Sequence, residues 1–134
     1  MATITNKSTL NRAASSGVRH MTYTIDATDR TLGRVASEAA HALLGKRSVH
    51  YAKNQALPMT VVVNNASKLH LPVRRTRGTV YTRYTGYPGG LYQMTMEEMI
   101  IKKGIGAVVK KTVDGMIPRN KLRAPRMKNL IVNE

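Results

Sequence analysis

The sequence predicts an α/β domain organised around a parallel pair of strands. Two observations carry that expectation. An alternating apolar segment, an amphipathic segment at helical spacing and a short apolar run follow one another between positions 21 and 63. Turn residues separate them at the spacing of a strand–helix–strand unit. A third observation bears on function: 22 Lys and Arg face 7 Asp and Glu in 134 residues, a net charge of +15. A compact domain this cationic repels itself, and a polyanionic partner normally offsets that cost.

The elements follow in order. Tyr23 and Ile25 alternate with polar residues, which predicts a strand from Met21, and residues 26–31 supply a turn and a helix start. Leu32, Val35, Ala36, Ala39 and Leu43 then recur at helical spacing, with Arg34, Ser37, Glu38 and His41 largely on the other side. Gly45 is placed to end that helix. A basic, irregular stretch over 46–55 carries Lys46, Arg47 and Lys53, and a core strand is predicted over 59–63. A short strand at 69–71 leads to a basic loop with Arg74, Arg75 and Arg77. Residues 80–84 read as an extended piece, and Gly86-Tyr87-Pro88-Gly89-Gly90 as a turn or loop.

Helical signals then return. Thr95 with Glu98 makes a capping box, with Met94 and Met99 as its hydrophobic staple. That helix is expected to stop near Gly104. A second, from Ile105 to about Val113, turns Ile105, Val108 and Val109 inward and ends at Gly115. Pro118 suits the first turn of a third helix, which Pro125 should break within two turns. Residues 1–20 are rich in Ser, Thr and Asn, with three basic residues and no acidic ones. They read as a flexible basic arm ahead of a single domain over 21–134. An organellar transit peptide has a similar composition; the arm is the preferred reading.

Several function classes fall away. There are no cysteines, so a disulfide framework, a Cys-based metal site and a thiol nucleophile are excluded. No apolar run has the length to span a bilayer, and the main amphipathic helix is too small-residue rich and charge-balanced for a membrane surface. Gly45-Lys46-Arg47-Ser48 echoes the end of a phosphate-binding loop, but Ala40 stands where its first glycine belongs and a helix precedes it instead of a strand. The turn over 26–33 has one glycine, not a dinucleotide fingerprint. His20, His41, His50 and His70 lack metal-ligand spacing, and Glu97 and Glu98 are explained by helix capping. Neither a metal, a cofactor, a small-molecule substrate nor catalysis is expected.

The basic clusters remain. Lys102-Lys103 and Lys110-Lys111 are expected to end successive helices, and residues 119–128 carry Arg119, Lys121, Arg123, Arg126 and Lys128. A single such run is often a solvated face, but several without interleaved acids point to phosphates. Tyr81, Tyr84, Tyr87 and Tyr92 crowd the Gly-rich segment of a chain that has no Phe or Trp. Tyrosines beside Arg83 and the open backbone of Gly86, Gly89 and Gly90 can stack on unpaired bases. The alternative packs two of them in the core.

Three stretches stand in order: Arg30-Thr31-Leu32-Gly33-Arg34-Val35-Ala36-Ser37, Tyr84-Thr85-Gly86-Tyr87-Pro88-Gly89-Gly90-Leu91 and Gly115-Met116-Ile117-Pro118-Arg119-Asn120-Lys121-Leu122. Together they resemble the universal family of the thirteenth protein of the large ribosomal subunit, in its bacterial form, over about 21–132. The resemblance implies a three-layer α/β/α domain with a small, mainly parallel sheet of about four strands. It implies a structural, non-catalytic constituent of the cytoplasmic ribosome that binds 23S rRNA, touches neighbouring large-subunit proteins and supports early subunit assembly. Its RNA-facing regions carry over to residues 83–90 and 119–128. The chain departs from the family at Tyr84, where His is general, and at Pro125, where a helix former is usual. A free RNA chaperone or regulator using the same surface is the alternative.

Overall fold

The computed structural model describes residues 20–134; the arm expected over 1–20 lies outside them apart from His20. Strand β1 (Met21–Asp26) leads through a turn to helix α1 (Leu32–Leu43), and β2 (Met59–Asn64) returns beside β1. Helix α2 (Val73–Gly78), strands β3 (Val80–Tyr84) and β4 (Leu91–Thr95), and helices α3 (Met96–Lys103), α4 (Ile105–Met116) and α5 (Arg123–Lys128) follow. The last strand, β5 (Leu130–Val132), returns to the sheet. The order β1-β2-β5 is parallel throughout, with Tyr23 opposite Val61 and Val61 opposite Leu130. The second sheet is the antiparallel β3–β4 hairpin.

Alternation decides which face of the parallel sheet is buried. Tyr23, Ile25, Met59, Val61, Val63 and Leu130 point one way and are buried with Val35, Ala36 and Ala39 of α1 and Val108, Val109 and Val113 of α4. Both β1-α1-β2 and β2-α4-β5 step across the sheet in one direction, so right-handed crossovers place both long helices on the same face, where they pack together. The other face, with Thr22, Thr24, Thr60, Val62 and Ile131, stays partly exposed.

Local chemistry sets the boundaries. Asp26 ends β1 by accepting from the Thr28 amide (3.1 Å), the Thr28 hydroxyl (2.8 Å) and Asn65 Nδ2 (3.0 Å), which ties the ends of β1 and β2 together. These bonds, led by that from Asn65, hold its carboxyl down at about 2. Gly45 (φ +82) closes α1 as expected: its amide reaches Ala42 O and the next amide reaches His41 O, the two bonds of a Schellman stop. At α3 the Thr95 hydroxyl accepts from the Glu98 amide (3.2 Å) and Glu98 accepts from the Thr95 amide (3.3 Å), the capping box read from the sequence.

Four local expectations need correction. Residues 69–71 contribute a single bridge, His70 beside Thr31, so the parallel sheet has three strands instead of about four. The basic loop at 74–77 is one and a half turns of helix, started by Pro72 at its N-cap. Lys110 and Lys111 lie inside α4, which continues through Gly115 to Met116. Pro125 begins a helix more than it breaks one: it sits in the first turn of α5, where no intrahelical donor is lost, while Pro118 precedes a turn. The sequence reading also passed over β4 altogether.

Candidate nucleic-acid interface

The seven carboxylates show how the charge is arranged, because nearly all of them serve the fold. Besides Asp26 and Glu98, Glu38 takes Arg30 (2.7 Å) on one oxygen and Arg47 (2.9 Å) on the other. Burial pushes Glu38 upward, but the two arginine bonds outweigh that and leave it below the ordinary carboxylate range. Asp114 holds Arg123 through both carboxylate oxygens, and Glu134 Oε1 accepts the Gly106 amide (3.1 Å) at the start of α4. Glu97 stands 3.9 Å from Arg77, both largely exposed. No local pattern announces the Glu38 and Asp114 pairs: their partners lie eight or nine residues away, beyond the helical i,i+4 rule.

The sequence-predicted residues therefore divide. Lys46, Lys53, Arg74, Arg75, Arg83, Lys110, Lys111, Arg119, Lys121 and Lys128 are exposed, and among the described residues none of them has a carboxylate partner. Arg47 is pinned by Glu38 and lies over the Tyr23 ring at 5.7 Å, so it is exposed but oriented. Arg123 is committed to Asp114. Arg126 is buried, 3% exposed, and its Nη2 donates to the Gln55 carbonyl (3.0 Å) while its Nε finds no partner. It fastens α5 to the basic 46–55 stretch and does not join the exposed cations, because burial leaves it no free face.

Helix α2 packs on α3 and β4, so Arg74, Arg75 and Arg77 stand beside the hairpin that carries Arg83. On that hairpin Arg83 is directly opposite Tyr92, and Tyr84 opposite Leu91. Tyr84, Tyr87 and Tyr92 are 63%, 76% and 65% exposed. Only Tyr81, opposite Met94, packs against the core, and burial pushes its phenol up. One tyrosine thus lies under the loop, not two.

The loop glycines do different things. Gly90 donates to the Tyr87 carbonyl (2.9 Å), closing a turn with Pro88 at its second position and Gly89 (φ +72) at its third, the type II arrangement. Gly86 (φ +91) and Gly89 face open space. Gly90 is buried, and a Cβ there would lie 2.0 Å from Thr85 Oγ1. It shapes the loop from inside and presents no surface.

Among the described residues no group of three His, Asp or Glu could hold a metal, and no helix is long and apolar enough to cross a membrane. What the geometry defines is a cationic α/β platform with a projecting tyrosine- and arginine-bearing hairpin, a protein of the polyanion-binding class. Residues 20–134 match the family model described as Ribosomal protein L13. The chain is 40% identical over 110 residues to the large ribosomal subunit protein uL13 of Ralstonia pickettii, covering 82% of this chain and 77% of that one. It is 37% identical over 117 residues to that of Chlamydia caviae, covering 87% and 77%, and 39% identical to that of Hahella chejuensis. The chain belongs to the ribosomal protein L13 family, whose members are structural proteins of the ribosome and not enzymes.

Proposed function

We propose that this chain, as a structural constituent of the large ribosomal subunit, binds 23S rRNA, lies against neighbouring large-subunit proteins in the cytoplasmic ribosome and supports early subunit assembly. The observation that carries this reading is the division of charge: carboxylates are spent mostly on caps, turns and internal pairs, while Arg74 and Arg75 of α2, the hairpin, α4 and the 119–128 region keep exposed cations without acidic partners among the described residues. Phosphates complete such a surface, and release of their counterions drives the binding. The parallel sheet with its two helices acts as a rigid body between RNA segments. Arg83, Tyr84, Tyr87 and Tyr92 reach from it to unpaired bases, for which exposed aromatic faces beside a guanidinium are suited.

Sucrose-gradient sedimentation of a native lysate tests this, with the protein followed by mass spectrometry. Stoichiometric migration with the large subunit and its precursors through a high-salt wash is expected. Recovery at the top of the gradient, or release at moderate salt, would instead favour a free RNA chaperone or regulator. With about six phosphates neutralised, log K for rRNA should fall with log salt at a slope of roughly −4 to −5.

A further inference from the structure

A cleft of about 300 Å³ lies between the first turn of α1 and the segment that precedes α2. Gly33 lines it on the α1 side above the buried Leu32, Leu71 and Pro72 line it on the other, and the exposed Arg34, His70 and Arg75 line it too. The two walls are fixed to each other, since Thr31 bridges His70 and the His70 amide donates to the Arg30 carbonyl (3.1 Å). The cleft is therefore part of the folded framework and not a gap between loops.

Gly33 has no internal reason to be glycine. It sits in the first turn of α1 without a positive φ, and a Cβ there would meet no heavy atom within 4 Å. Glycine costs helix stability relative to alanine, so the return must come from something that approaches its backbone from outside. The lining says what that is. Apolar walls accept a flat, weakly solvated group, and Arg34 and Arg75, both exposed and without carboxylate partners among the described residues, accept anionic oxygens beside it. A peptide or lipid chain would not require two arginines and a histidine around so small a slot. A phosphate alone would not require the apolar walls.

We infer that this cleft receives one extruded nucleotide of the bound RNA, its base between the Gly33 backbone and Leu71–Pro72 and its phosphate on Arg34 and Arg75. This rests on the rRNA-binding reading but adds a site outside the hairpin and the 119–128 region. Capture of an unstacked base lets a cationic platform, otherwise blind to sequence, recognise one position of an RNA fold.

The test uses the full chain. Amide shifts of Leu32, Gly33 and Leu71 are followed by NMR during titration with AMP, GMP, CMP and UMP, with inorganic phosphate and unphosphorylated nucleosides as the other arms. Large-subunit rRNA is then photo-crosslinked to the same protein. Saturable shifts with a nucleotide, weaker ones with phosphate or nucleoside, and a crosslink at 31–34 or 70–72 are expected. Gly33→Leu, which fills the slot, should weaken nucleotide binding about tenfold or more. Gly33→Ala, compatible with the helix, reports whether the fold tolerates the position, and Arg34→Gln should lower the nucleotide response toward that of the nucleoside. Equal shifts from phosphate and nucleotide would overturn the inference in favour of a simple anion contact. Nucleotide binding without the crosslink would assign the cleft to a free nucleotide and overturn it also. Unchanged rRNA binding and crosslinking by Gly33→Leu would sink the cleft alone, whereas failure of the wild-type chain to bind rRNA would sink both readings.

Discussion

The parallel sheet and the hairpin are each made of paired strands, yet they obey opposite rules. In β1 and β2 every second residue is buried against α1 and α4, so one face is packed and register is dictated by the core. In β3 and β4 most residues are exposed, on both faces of a two-stranded ribbon, and only Tyr81, Met94 and Thr95 are half-buried. An isolated hairpin of this kind has little stability of its own. Its shape rests on the turn chemistry at its tip and on α2 and α3 at its base. The sheet is built to hold the molecule; the hairpin is held by it and left open to be touched.

The comparison can be broken by substitution, starting with the largest expected effect. Ile25→Ala should destabilise the protein by about 2–5 kcal/mol in urea unfolding, because it empties a fully buried position, while Tyr84→Ala should leave stability within about 0.5 kcal/mol and weaken rRNA binding. Arg126→Ala removes the bond to Gln55 and should cost about 1–3 kcal/mol, whereas Lys128→Ala two residues on should change only RNA affinity and its salt slope. Gly90→Ala drives a Cβ into Thr85 and should cost about 1–3 kcal/mol, read as faster amide hydrogen exchange in β3 and β4 with the parallel sheet unaffected. Thr95→Ala, at the junction of the two regions, should remove about 0.5–2 kcal/mol from α3 by thermal unfolding.

A pH measurement sharpens the same contrast on the sheet side. The folded-state pKa of Asp26 is depressed to about 2, so its ionised form stabilises the β1–β2 ends. That contribution is complete above roughly pH 4, where the unfolded carboxyl is ionised as well, and is lost as pH falls toward 2. Thermal midpoints should therefore decline over that window, and Asp26→Asn should flatten the decline.

How legible each region was follows from the same physics. Period-two burial at Tyr23 and Ile25, helical spacing through Leu32 to Leu43, Gly45 and the Thr95–Glu98 box all announce themselves because burial and capping restrict residue choice locally. Strand β4 did not: Leu91, Tyr92 and Gln93 are exposed in a row and Met94 and Thr95 are both half-buried, so no alternation is imposed on it. Arg74 to Arg77 lacked an apolar stripe for a comparable reason, since α2 buries no residue. In the candidate interface the exposed cations and tyrosines were readable from composition, but which arginines are occupied was not. Arg123 and Arg126 look like Arg119 in sequence and differ only through Asp114 and Gln55, contacts that exist once the chain has folded.

The position of β2 at the centre of the sheet has a consequence for synthesis. Its first neighbour, β1, is already made when β2 is, and the helix between them completes a local unit. Its second neighbour, Leu130–Val132, is made long afterwards, and the Gln55 carbonyl waits 71 residues for Arg126. Through that interval the growing chain carries an open strand edge and an unfastened basic stretch. Both are closed together by one short segment, α5 with β5, so the platform is finished only once that segment has been made.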